Sequence, residues 1–369
     1  MSPILVKLIS ALTTFLLIMQ GLFITPVINE NKTDFEGVKN VIFMIGDGMG
    51  FNSIEKTKAE EGVSLAMDTF ELRGQSRTAS ANSIITDSAA GGTALATGVR
   101  TANGAIGVYM GDRDNIASHP LNLTELAIEM GKTAGVITTD STSGATPSSF
   151  SAHANDRDDE HVITPQQLAG DLTVMWGGTT SSFTAEAAEE YGWTAVYDKE
   201  DMDALEEGSR SFGQFTNALW HAEQTNGMPT LAEMTEKAID LIDDDEDGFF
   251  LMVEGAHIDK NSHDNNGEGM KDALISFDDA IAVALAYAKA DGETLVVITA
   301  DHETGGILKI AGDYVYTSGG HSGFNVPLLV YGCDDFILDN QSIPNIEVAR
   351  RVACAMGATN FPIRVENAF

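Results

Sequence analysis

Cysteine is nearly absent from this chain: Cys333 and Cys354 are the only two in 369 residues, which excludes a disulfide-stapled scaffold. One bridge between them is compatible with export, and the sequence leaves the pairing open because it carries no distance. Basic residues are scarce as well. Lys and Arg number 21 against 55 Asp and Glu, a formal charge of −34, which excludes nucleic acid as a general partner. A site that handles anions here must build its own local positive field. Internal repeats and low-complexity tails are missing. Charge is missing from one place in particular: after Lys7, residues 8–29 carry none and are mostly apolar, about the 20 residues that span a bilayer as a helix. No A-x-A cleavage site follows, so a cleaved signal peptide and a retained N-terminal membrane anchor are both open. Either predicts export to a periplasmic or extracellular space, with Lys7 left inside.

What remains is 43% hydrophobic over the whole length and can bury a large core. Residues 30–39 read as a linker and 40–369 as a single domain. Strands are predicted at 40–45, 133–139, 172–176, 249–254, 294–299 and 326–331, rich in Val, Ile and Leu without strict alternation, as strands covered on both faces are. Helices are predicted at 88–97, 121–131, 230–242 and 270–290 from apolar residues at helical spacing. The alternation implies an α/β fold, with a mostly parallel central sheet flanked by helices on both faces. Residues 179–228, polar and aromatic without a clear period, read as a surface insertion. Asp243, Asp245, Asp247, Gly248 and Glu254 match an EF-hand loop, but the apolar run at 249–253 reads as a buried strand, and the segment is assigned as an acidic helix-to-strand turn.

Three of these strands end on metal-ligating side chains. The first breaks into Gly46-Asp47-Gly48-Met49-Gly50, the run at 249–253 delivers Glu254, Asp259 and His263, and 294–299 delivers Asp301 and His302. In open α/β sheets ligands bind at the carboxyl ends of strands. Ser88 lies far away in sequence, within Asp87-Ser88-Ala89-Ala90-Gly91-Gly92, and His321 follows two glycines. A serine hydroxyl needs a base or a metal to become a nucleophile. No histidine lies near Ser88 in sequence, and the ligand set offers metals instead. Zinc takes imidazole and carboxylate ligands and, in catalytic sites, keeps one position open. Two such ions about 4 Å apart can hold the attacking and leaving oxygens of an in-line displacement. The combination reads as a metal-assisted serine phosphotransfer site. Ser88 also reads as a helix cap, a role compatible with phosphate binding at a helix N-terminus. His161, His221 and His257 receive no catalytic role, and His153 at most a supporting one.

Six stretches, GDGMG at 46–50, TDSAAGGTALATGVRTANGAIGV at 86–108, ATPSSFSAHANDR at 145–157, FFLMVEGAHIDKNSH at 249–263, TADHETGG at 299–306 and GGHSG at 319–323, resemble the alkaline phosphatase family, in its order and across nearly the whole chain after residue 39. The resemblance implies two Zn2+ and one Mg2+. Asp259, His263 and His321 would hold the first zinc, Asp301, His302 and Asp47 the second, and Asp47, Thr146 and Glu254 the magnesium. It further implies that Ser88 takes up the phosphoryl group, that Arg157 grips it with Asp87 orienting the guanidinium, and that Lys260 lies near it. The substrates would be small phosphomonoesters. Sulfatases of the superfamily carry a C/S-x-P-x-R setting, which the sequence around Ser88 is not. The pattern is broken at Gly144, where the bacterial periplasmic enzyme has aspartate, so Lys260 is expected to lack its carboxylate partner and the magnesium site to be weaker. The short link between His302 and His321 leaves little of the subdomain many relatives insert there and weakens the expectation of the family's homodimer.

Overall fold

Alternate residues of one central strand divide the core. In β1 (Asn40–Gly46), Val41, Phe43 and Ile45 pack into one apolar layer and Ile42 and Met44 into the other, all of them fully buried. This is why the run shows no polar alternation: both faces are covered. The computed structural model describes residues 35–366 apart from 36, 113–117, 182, 217–218 and 224–225, so the predicted signal or anchor at 8–29 lies outside the described residues. Among those described, no helix is long and apolar enough to cross a membrane.

The sheet has ten strands. In chain order they are β1, β2 (Leu72–Arg77), β3 (Thr133–Ser141), β4 (Val174–Gly178), β5 (Thr194–Val196), β6 (Ser211–Phe215), β7 (Phe249–Gly255), β8 (Thr294–Thr299), β9 (Val326–Tyr331) and β10 (Ser342–Pro344). Their order across the sheet is β10-β2-β9-β8-β1-β7-β3-β4-β6-β5. Only β9 runs antiparallel to its neighbours. Helices Leu231–Ile242 and Gly267–Asp291 cover one face, and Ser88–Thr97, Leu123–Glu129 and Asn345–Ala355 the other. This is the α/β arrangement with a mostly parallel sheet that the sequence predicts.

One expectation needs correction, and the pairing left open is answered. The segment at 179–228 does not stand off as an insertion: it supplies β5 and β6 and thereby one edge of the sheet. All five residues of β6, including Ser211, Gly213 and Gln214, are buried, so its polar composition hid a core strand. Cys333 and Cys354 are both unpaired. The EF-hand pattern fails as predicted, because residues 249–253 are fully buried in β7.

Candidate active site

Adjacent parallel strands β7, β1 and β8 end side by side, so the residues that follow them share one rim of the sheet. Asp47 follows β1, Glu254 lies near the end of β7, and Asp301 and His302 follow β8. Asp259 and His263 sit one helical turn apart on His257–His263. The rim is held tightly at Gly48. Its φ is +72°, its N–H donates to Asp301 Oδ1 at 3.2 Å, and a Cβ there would come within 2.7 Å of the Asp259 Cα.

The link between His302 and His321 contains a small pairing that brings distant ligands together. Glu303–Thr304 pairs antiparallel with His321–Ser322, Thr304 opposite His321, and the His302 and His321 rings stack with centroids 3.6 Å apart.

Two groups result, each with ligand atoms within 4.8 Å of one another: Asp259, His263 and His321, and Asp47, Asp301 and His302. These are the two zinc sets implied by the resemblance. In the first, His263 Nδ1 donates to the Gly319 carbonyl at 2.8 Å and His321 Nδ1 donates to the Thr86 carbonyl at 2.9 Å. A carbonyl can only accept, so each Nδ1 carries a proton and Nε2 is the nitrogen each ring has left for a ligand. Those two Nε2 atoms are 3.0 Å apart, and Asp259 oxygens lie 3.3 Å from one and 3.6 Å from the other. Two ring nitrogens and a carboxylate so placed can be joined by a metal ion or, without one, by a proton. In the second group, the Thr304 hydroxyl donates to Asp259 and accepts from His302 Nδ1 at 3.2 Å, which turns His302 Nε2 toward Asp301 Oδ2 at 3.1 Å and Asp47 Oδ1 at 3.6 Å. Burial pushes the His302 imidazolium down, so this ring is a neutral ligand. Asp47 Oδ1 is buried without a hydrogen bond, and burial followed by the charges of Asp301 and Asp259 pushes the Asp47 carboxyl well up. A proton or a metal must satisfy it, and the donor set fits zinc.

Ser88 opens helix Ser88–Thr97, but it is not the cap. Asp87 is, through Oδ1 accepting from the Ala90 N–H at 2.9 Å. The serine is thereby left free, its Oγ 3.2 Å from His302 Nε2. Asp87 Oδ2 accepts from the Gly104 N–H at 2.8 Å and meets Arg157 Nη1 at 3.5 Å, as an orienting carboxylate should.

Glu254 is buried at the end of β7, accepts from the Thr138 hydroxyl, and has its carboxyl pushed up to about 8 by burial and next by the charge of Asp140. Thr146 lies on the short helix Ala145–Ser149 with its Oγ1 buried and without a hydrogen-bond partner.

Lys260 overturns an expectation. It does have a carboxylate partner, Asp140, to which its ammonium donates. A Cβ at Gly144 would fall 2.6 Å from Asp140 Oδ2, so the carboxylate expected at 144 is supplied from 140 instead. Asp140 was missed because the predicted strand stops at 139, whereas β3 continues through an irregularity in its pairing with β4, and residue 140 falls inside it. Lys260, Arg157 and Asp140 line a cavity of about 550 Å³ with Asp158, Glu160 and His161.

Fold and site together define a class of protein built on an α/β sheet whose strand ends gather two imidazole–carboxylate metal sets around a helix-initial serine. The chain belongs to the alkaline phosphatase family: the model for "Alkaline phosphatase" matches residues 38–191 and 178–326. Alkaline phosphatase 3 of Bacillus subtilis is 35% identical over 312 residues, 78% of this chain and 65% of the relative. Alkaline phosphatase H of Pseudomonas aeruginosa is 33% identical over 333 residues, 72% of this chain and 69% of the relative. The chain thus spans about two thirds of the length of these curated relatives. Among solved structures, the alkaline phosphatase of the Antarctic bacterium TAB5 is 30% identical, with a TM-score of 0.77 covering 88% of this chain and 99% of that one. A cold-active enzyme from Shewanella is 25% identical with a TM-score of 0.78, covering 86% and 99%.

Proposed function

We propose that this chain hydrolyses small phosphate monoesters through a phosphoserine on Ser88, with two zinc ions and one magnesium ion, on the far side of the membrane from its N-terminus. The observation that carries the reading is the convergence of His263 Nε2, His321 Nε2 and Asp259 on one place, where a zinc ion can join them. Variants of the TAB5 enzyme with a histidine replaced by Glu or Asp hold Mg in a site designated M3, and Glu254, Thr146 and Asp47 are the oxygen-only set that suits such a hard ion here.

The bound metals would supply charge stabilisation for the serine alkoxide and the leaving oxygen, and lower the pKa of water. Ser88 Oγ forms the bond to phosphorus as the alcohol oxygen departs. Water then breaks the Ser88–phosphate bond and releases inorganic phosphate. Arg157 holds nonbridging oxygens through its planar fork, oriented by Asp87. Lys260, paired with Asp140, lines the cavity beside Arg157. His302 does not serve as the base, because its Nε2 is committed to the carboxylates of Asp301 and Asp47.

Steady-state hydrolysis of p-nitrophenyl phosphate and of bis(p-nitrophenyl) phosphate tests this, using the wild type and Ser88→Ala, before and after chelation and after zinc and magnesium are restored. Strong monoester turnover that needs metal and collapses in Ser88→Ala is expected. Preference for the diester would replace the substrate class, and no cleavage of either after metal restoration would leave a binding protein.

A further inference from the structure

Behind the segment that carries Arg157 lies a third group of ligating side chains that the reaction does not use. His119, on the short strand Ser118–Pro120, Glu125, in the first turn of helix Leu123–Glu129, and His153 have ligand atoms within 4.8 Å of one another. His119 and His153 are buried, at 5% and 3% exposure, while Glu125 is partly open. All three border a cavity of about 320 Å³.

The hydrogen bonds fix how the group is used. His153 Nδ1 lies 2.6 Å from the Gly107 carbonyl, so it carries a proton and donates it. That approach is close enough that a Cβ at Gly107 would sit 2.6 Å from the same nitrogen. The ring's other nitrogen, Nε2, faces outward and stands 2.9 Å from Glu125 Oε1. The other carboxylate oxygen is occupied, accepting from the Asn122 N–H at 2.9 Å in a capping box. Either a proton or a metal ion joins His153 Nε2 to the carboxylate, and a third ligand beside them favours the ion. The His119 ring packs on His153 with centroids 3.9 Å apart, which brings a second imidazole to the same carboxylate.

We propose that His119, Glu125 and His153 form a further binding site for a zinc-class divalent cation, with its open position toward the 320 Å³ cavity. Two imidazoles and one carboxylate are an intermediate donor set that suits zinc rather than magnesium or calcium. The carbonyl that holds His153 Nδ1 is the support a zinc-bound histidine normally has. Two ligands of one tetrahedral zinc stand about 3.3 Å apart, so binding needs Glu125 Oε1 and His153 Nε2 to separate by only a few tenths of an ångström. The site is a staple in the phosphate-gripping segment. Ile106 and Ala154 bridge each other through two hydrogen bonds of 2.9 Å, and the Arg157 N–H donates to the Gly104 carbonyl at 2.8 Å. A cation bound to His153 therefore fixes the strand of chain that leads to Arg157.

The test compares zinc content by inductively coupled plasma mass spectrometry in the wild type, Glu125→Gln and His119→Gln, each equilibrated with the same buffered free zinc. Glu125→Gln keeps an oxygen for the capping box, so its fold is preserved, and circular dichroism checks both variants. Both are expected to hold about one zinc per chain fewer than the wild type. Diffraction at the zinc edge should place an anomalous peak within about 2.2 Å of His153 Nε2. Equal zinc in all three chains, or no peak beside His153, would show that only a proton bridges His153 and Glu125 and would overturn the proposal. The count can be repeated in Ser88→Ala, where the outcome is independent of whether the chain is a phosphatase.

Discussion

Without metal, the cation between His263 and Asp259 has to be a proton, and this fixes how zinc affinity depends on pH. The Asp259 hydrogen bond leads the effects that raise the His263 imidazole from its ordinary 6.5 to about 9. Burial acts to raise the Asp259 carboxyl, but hydrogen bonding to His263 and the nearby imidazole of His302 hold it below the usual carboxylate range. The folded value of His263 is the higher one, so the stability this pair gives the metal-free chain is complete below about 6.5 and is lost as pH rises through about 9. Zinc must displace that proton. Affinity should therefore climb about tenfold per pH unit and level off near 9, and at pH 7 the competition weakens zinc binding about 100-fold from its upper limit. Competition against a chelator of known protonation, from pH 6.5 to 9.5, gives the slope. An apparent dissociation constant that stays flat between pH 7 and 9 would refute the assignment of the first metal to His263.

Three further changes follow from the same geometry. Gly144→Asp adds a carboxylate about 4 Å from that of Asp140, a repulsion on the order of 4 kcal/mol at an effective dielectric of about 20. It should lower the melting temperature and weaken the magnesium response, whereas pairing it with Asp140→Ala should restore both; a stabilised single variant would contradict this. Gly48→Ala places a Cβ 2.7 Å from the Asp259 Cα at φ +72°, adding about 1–2 kcal/mol of left-handed strain to the overlap, and thermal unfolding with zinc content should show both losses. Thr304→Val removes the hydroxyl that joins Asp259 to His302 and should reduce zinc affinity about 10–100-fold, measured by the same chelator competition, while secondary structure by circular dichroism is unchanged.

The centre of the sheet was legible because its strands are uniformly apolar: β8 and β9 fall at the predicted residues, and β1, β3 and β7 extend one or two residues beyond. The edges were not. Buried Ser211, Gly213 and Gln214 in β6 carry no hydrophobic period, because small and amide side chains can fill a core when neighbours satisfy them. The two clusters of ligating side chains were legible from residue type and family order, since a ligand must be His, Asp or Glu wherever the fold brings it. Positioning residues follow a different logic. Asp140 acts through Lys260 and Glu254, and nothing in its local sequence distinguishes it from the many carboxylates of a chain with 55. His119, beside a proline in an unremarked stretch, is invisible until the chain folds it against His153.

Ser88 Oγ is 3.2 Å from an imidazole nitrogen, the distance of a serine–histidine catalytic pair, yet the geometry argues against one. A general base needs a ring whose far nitrogen is held by a carboxylate that welcomes the developing charge. The far nitrogen of His302 instead meets the Thr304 hydroxyl, while the carboxylates of Asp301 and Asp47 crowd the same Nε2 that faces the serine. A proton taken from Ser88 would have to share that nitrogen with two carboxylates in a fully buried pocket where burial already disfavours the imidazolium. A divalent ion at the same point satisfies all three groups at once and lowers the cost of the serine alkoxide. The arrangement that looks like half a triad is therefore, under the proposed function, a metal site with Ser88 at its edge.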